Sequence, residues 1–211
     1  GKTMSVQPVE ISKAYRLLQV GSTTMISAKY DGVENVMSAA WVGLAGERKV
    51  VAYIGTQAFT RQPVEKSGYF VVQIPVVSQM ATVLYAGGRS YADAPDKNDT
   101  IPFFYQPEFD LPLVAGCAGW LVCKVMPYPD IQQQHNLFMG DIVAAWSDDR
   151  VFRNGHWIFD DAPDELRTVH YVAGGQFYAI GKGSKFDHGP GQNCPSPVMR
   201  IADEMSAQQS G

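Results

Sequence analysis

The sequence predicts a mainly β chain that closes, or nearly closes, into a barrel. Three observations carry that expectation. About seven or eight runs are rich in Val, Ile, Thr and aromatic residues and are bounded by Gly, Pro, Asn or Asp. Only two short helical candidates interrupt them, and no strand alternates with a long helix, which argues against a doubly wound sheet. Neither GxGxxG nor GxxxxGK followed by Ser or Thr occurs, so both usual phosphate loops are missing.

The elements follow in order. Residues 20–29, VGSTTMISAK, read as a strand, and Asp31-Gly32 is a tight-turn pair. Residues 33–44 read as one returning strand, ended by Gly46. KVVAYI (49–54) is the next strand, and YFVVQIPV (69–76) another, with Pro75 marking its end. Between them, TRQPVEKSG (60–68) reads as a helix. Thr60 is its candidate N-cap, Pro63 falls in its first turn and Gly68 stops it. SQMATVLYAGG (78–88) is a second helix, closed by Gly87-Gly88. A polar, Pro-punctuated loop fills 89–102. Strands are then expected over 115–128, 135–147 and 168–181, with a hairpin around Asn154-Gly155. The expected domain spans residues 1–182. Residues 183–211 form an irregular Gly/Pro-rich tail with a short terminal helix in VMRIADEMSAQQ.

With 211 residues, 45% hydrophobic and 18% charged, the chain can fill a real core as one β domain. A formal charge of −4 argues against general affinity for nucleic acid. No apolar run approaches the ~18 residues of a membrane span. The opening GKTMSVQPVEIS lacks a charged-then-apolar signal pattern, so the expected location is cytoplasmic. Cys117 and Cys123, six residues apart in one strand-like run, would lie roughly 20 Å apart, too far for a disulfide. Cys194 stands alone. No CxxC is present, and the four histidines are dispersed, so no metal site is expected.

One strand has an unusual middle. ENVMSAAW places Ser38, Ala39 and Ala40 where bulky β-branched residues would be favoured. In an extended strand, Asn35, Met37, Ala39 and Trp41 share one face, and Val36, Ser38 and Ala40 the other. Small residues let a flat aromatic cofactor approach the backbone, and Trp41 could wall it. Equally, the small residues could meet a neighbouring helix.

The next segment, GTQAFTRQPVEKSG, follows a strand and opens a helix. Thr56 and Thr60 offer hydroxyls and Arg61 a fork of charged donors, a combination suited to phosphate. The alternative is an ordinary capped helix with a solvated Arg.

Taken together, Asn-x-Met-Ser-Ala-x-Trp (35–41), GTQAFTRQPVEKSGYFVVQIP, the loop with Lys97, QHNLFMGDIVAA (134–145) and HYVAGGQFYAIGK (170–182) resemble the flavin reductase-like, FMN-binding split-barrel family, in its flavoredoxin branch. The resemblance covers roughly residues 12–182. It implies a split, six-stranded Greek-key barrel with flanking helices, non-covalent FMN and a homodimer. It also implies site residues. Asn35, Met37, Ser38, Ala39, Ala40 and Trp41 would line the isoalloxazine and ribityl, and Thr56, Phe59, Thr60 and Arg61 would surround the phosphate. Lys97 and His135 would lie near the cofactor, and Tyr171 and Phe177 fall where an aromatic covers the ring. The tail after Lys182 has no counterpart in the resemblance and could embrace a dimer partner. Trp120, Trp146 and Trp157 read as core or interface aromatics.

The expected activity is hydride transfer from NADH or NADPH to flavin, then electron transfer to an unknown acceptor. Because the cofactor carries the chemistry, no catalytic triad is required. The alternatives are a non-catalytic FMN-binding carrier or sensor barrel, and a dimeric scaffold with an empty pocket.

Overall fold

Seven antiparallel strands form one curled sheet in the computed structural model, which describes residues 4–88 and 100–186. Lys97, Cys194 and the expected terminal helix lie outside the described residues. After a short helix α1 (Ile11–Ala14) come β1 (Thr24–Tyr30), β2 (Val33–Ala39), β3 (Val42–Leu44) and β4 (Lys49–Tyr53). Helix α2 (Arg61–Ser67) leads into β5 (Tyr69–Ile74), and α3 (Met80–Gly88) follows. Beyond the loop are the small pair β6 (Phe103–Phe104) and β7 (Leu113–Val114), then β8 (Gly119–Val125), helix α4 (Pro129–His135) and β9 (Leu137–Ser147). Two hairpins complete the fold, β10 (Phe152–Arg153) with β11 (His156–Trp157), and β12 (Val169–Tyr171) with β13 (Phe177–Ala179).

Local turn chemistry sets several of these boundaries. Asp31 (φ 50°) and Gly32 (φ 74°) make the left-handed pair that turns β1 into β2. Asn154 (φ 52°) and Gly155 (φ 78°) do the same for β10 and β11, as expected. Gly68 ends α2 at φ 75°. Thr60 sits at the N-cap position but makes no capping hydrogen bond with its side chain.

The strand order is β2-β1-β5-β8-β9-β4-β3. Residues 33–44 are therefore not one strand, as the sequence suggests. The run breaks at Ala40-Trp41, leaves one edge of the sheet as β2 and joins the opposite edge as β3. Tyr53 N–H donates to Trp41 O at 3.0 Å, fastening the crossing. Counted once, that run gives six chain passes, and the two sheet edges are linked through two residues. This is the split-barrel plan, in which β2 and β3 remain the two edges of one sheet.

Three other boundaries differ from expectation. The 115–128 strand is confined to β8. Residues 129–135, which run from the gap between two expected strands to the start of the second, form α4. Residues 168–181 are a hairpin, turned by Ala173 (φ 100°), Gly174 (φ 64°) and Gly175 (φ 79°).

Alternation along the strands builds two cores. On one face Ile26, Ala28, Ala39, Ala52, Phe70, Val72, Cys123 and Phe138 pack with Val64 of α2. On the other, Met25, Val36, Val71, Trp120 and Val122 pack under Val83 and Ala86 of α3 and under Leu111, Leu113 and Val114. Trp120 is a core residue that donates from Nε1 to Val114 O at 2.8 Å, whereas Trp157 is exposed and stacked on Phe159.

Buried Gln73 fastens the second core. Its Nε2 donates to Met25 O (3.0 Å) and Ser27 Oγ (3.1 Å), and its Oε1 accepts from Val114 N–H (3.0 Å). Replacing it with Leu strands a buried N–H and a buried carbonyl. Gln73→Leu should cost ~2 kcal/mol, read as a lower urea midpoint at unchanged slope.

Cys117 and Cys123 lie in opposite cores, and both are free. Burial pushes each thiol up to about 12, with a Gln79 hydrogen bond pulling slightly the other way at Cys117. Neither is a thiolate near neutral pH. Peptide mapping after brief alkylation at pH 8 should find both unmodified in the native protein and both modified in urea.

Candidate functional site

Two clefts hold most of the residues singled out from sequence. The first, of about 320 Å³, lies between β2 and α3. Ser38, Ala39 and Ala40 form one wall, and Val83, Leu84 and Gly87 the other. Tyr171 closes a third side, and Gln19 and Thr23 add polar edges. The helix reading of Ser-Ala-Ala holds at Ser38. Ser38 meets the helix: its hydroxyl donates to Val83 O at 2.5 Å, and a Cβ on Gly87 would stand 3.2 Å from Ser38 Cβ. Ala40 is exposed and edges the open space, whereas Ala39 borders the cleft but is buried in the first core.

Tyr171 is fixed from several sides. Its N–H donates to Thr23 Oγ1 at 2.8 Å, its hydroxyl accepts from Gly175 N–H at 3.2 Å, and its ring lies 5.1 Å from that of Phe177. Phe177 packs behind it against the second core, without lining the cleft.

The second cleft, of about 500 Å³, is lined by Thr56, Gln57, Ala58, Phe59, Arg61, Gln62, Glu65 and Gln133. Thr56, Phe59 and Arg61 thus come together as the sequence suggests. Thr60 does not join them. It is fully buried, and its hydroxyl accepts from Asn35 Nδ2 at 2.8 Å. Asn35 faces the α2 side of the sheet opposite Ala28, and its carbonyl oxygen is buried without a partner. Met37 packs on the same core. His135 is exposed at the last turn of α4 and does not line the cleft.

Trp41 is half exposed. Its ring meets Tyr53 edge-on at 5.0 Å and Tyr15 at 5.9 Å. Tyr53 OH accepts from Asn136 Nδ2 at 3.4 Å. Asn136 closes α4 in the left-handed conformation (φ 58°), and its carbonyl accepts from Ile54 N–H at 2.9 Å. The end of β4, α4 and the crossing at Trp41 are therefore joined by side chains.

Sequence reasoning missed Gln19, Thr23 and Leu84 in the first cleft and Gln57, Gln62 and Gln133 in the second. Only α4 left a readable signal: Pro129 at its start, Asp130 in its first turn, His135 in its last and Asn136 beyond. Among the described residues no group of His, Cys, Asp or Glu could hold a metal ion, and no helix is long and apolar enough to cross a membrane.

Comparison with known proteins is consistent with this architecture. The profile of the family described as "Flavin reductase like domain" matches residues 20–169. YddH of Escherichia coli (strain K12), itself uncharacterised, is 34% identical over 182 residues, spanning 83% of this chain and 95% of that protein. The structure of an FMN-binding domain of a flavin reductases-like enzyme from Shewanella baltica OS155 is 43% identical with a TM-score of 0.77, covering 85% of this chain and 96% of that one. The flavoredoxin of Desulfovibrio vulgaris (Miyazaki F) shares the fold at a TM-score of 0.68 and 20% identity, over 82% of this chain and 93% of its own. With the split-barrel plan and a family match over most of its length, the chain belongs to the flavin reductase-like family.

Proposed function

We propose that this chain holds FMN and acts as a flavin reductase or flavoredoxin-like oxidoreductase, taking hydride from NADH or NADPH and passing electrons to a further acceptor. The observation that carries the reading is the presence of two clefts, one mostly apolar beside Ser38, Ala39 and Ala40, one offering hydroxyl and amide groups at Thr56 and Gln62. Their chemistry fits the two ends of the cofactor. Small residues and an aromatic suit a planar ring, while hydroxyl and amide donors suit a ribityl phosphate. The partnerless Asn35 oxygen adds a buried acceptor beside α2.

In this reading Ala39 and Ala40 let the ring approach the strand, Tyr171 shields it from water, and Trp41 supplies an apolar wall. Thr56, Phe59 and Gln62 hold the phosphate end, and Lys97 and His135 are assigned to the cofactor as well. Bound FMN supplies the hydride and electron chemistry, and the protein binds, orients and excludes water. The same reading takes residues 1–182 as the cofactor domain, residues 183–211 as a dimer arm, a homodimer as the working form and the cytoplasm as its location. Exposed Leu18 and Leu44 suit a second copy of the chain.

The test is anaerobic addition of NADH or NADPH to the FMN-loaded protein. Bleaching of the flavin's visible absorbance within a catalytic time supports the reductase. A yellow protein that stays yellow with both nucleotides makes it a carrier or sensor. A protein that takes up no FMN overturns both.

A further inference from the structure

Arg61 borders the polar cleft, yet its guanidinium is engaged elsewhere. Nε donates to Glu65 Oε1 at 2.6 Å, Nη2 to Gln132 O at 2.9 Å, and Nη1 to Ile54 O at 3.0 Å and to Asn136 Oδ1. Its Cζ lies 5.2 Å from the Phe138 ring centroid, and the residue is 6% exposed. Gripping a phosphate with the guanidinium fork would strand the Ile54 carbonyl and the Asn136 side-chain oxygen, and would leave Gln132 O with only its bond from Asn136 N–H.

We propose that Arg61 is a positioning residue and not a phosphate ligand. It clamps the end of α4 to the end of β4. Through Asn136 and the Tyr53 hydroxyl, it sets where the Trp41 ring stands against Tyr53. The cleft's own polar groups near it are Thr56, Gln57, Gln62 and Gln133, all neutral, with the Glu65 carboxylate already taken by Arg61. Phosphate at this cleft is accordingly held by neutral donors.

This rests on the FMN reading, and the experiment separates the two. Dissociation constants for FMN and for riboflavin, which lacks the phosphate, are measured by flavin fluorescence for wild type, Arg61→Met, Arg61→Lys and Asn136→Gly. Gly is used because it accepts the left-handed backbone at 136. Positioning predicts that all three variants weaken both flavins by a similar factor, about tenfold, so the FMN-to-riboflavin preference is unchanged. It also predicts that Arg61→Met with Asn136→Gly is no worse than either alone. Hydrogen exchange of the flavin-free protein should speed up at Ile54 and Asn136 in Arg61→Met and in Arg61→Lys. A loss confined to FMN in Arg61→Met, with riboflavin unaffected and Lys retaining the preference, overturns the proposal and makes Arg61 a phosphate ligand. Wild type that binds neither flavin overturns the FMN reading and this role with it.

Discussion

Gly140→Ala is expected to lower stability by about 3 kcal/mol, near the upper end for a single added methyl group. Gly140 lies in β9 on the face shared with Phe70 and Cys123. A Cβ built there would stand 2.8 Å from Cys123 Cβ and 2.9 Å from Phe70 Cζ. Neither neighbour can yield easily. Cys123 Cβ is tied to the β8 backbone, and Phe70 is fully buried at the centre of the core. Urea denaturation should show the loss as a lower midpoint. Phe70→Leu shortens the ring side chain and should cost about 1–2 kcal/mol alone. Combined with Gly140→Ala it should cost less than the sum of the two, because the atoms that clash at Phe70 are gone. Strict additivity would mean that the tight spot lies elsewhere.

Ala40→Trp should abolish flavin binding while leaving the fold intact. Ala40 is exposed, follows the last residue of β2 and lines the first cleft, whose volume is about 320 Å³. An indole placed there occupies the space assigned to the cofactor ring without entering either core. Flavin affinity should fall by a factor of 100 or more, corresponding to ~3 kcal/mol, with a melting temperature close to that of the flavin-free parent. Retained affinity would move the ring out of this cleft. A collapsed melting temperature would show that Ala40 has a packing role instead.

The fold was legible wherever the chemistry is local. Asp31-Gly32, Asn154-Gly155 and Gly68 adopt positive φ as their residue types suggest, and the alternation in β1 and β5 places the right residues in each core. The break at Ala40-Trp41 was not legible, because neither Gly nor Pro marks it. It arises from barrel closure, a property of the whole sheet. Helix α4 was hidden by its polar QQQ run, which has no apolar stripe to betray a helical period.

At the candidate site, the residue types around Ser38–Ala40 and Thr56–Arg61 were visible, but their partners were not. Arg61 looks like an anion ligand in its own segment. Asn136 and Gln132, which hold it, lie 75 and 71 residues away. Thr60 similarly looks like a cap or a phosphate donor until Asn35, 25 residues back, is seen to bond to it. Pairings of this range depend on the folded sheet, and no local pattern announces them.

The most direct measurement is a crystal structure of the protein grown with FMN. The account predicts the ring against Ser38, Ala39 and Ala40 with Tyr171 over it, the phosphate among Thr56, Gln57 and Gln62, and Arg61 still bonded to Asn136 and Gln132. Flavin density in neither cleft, with both filled by the protein's own side chains, would contradict it.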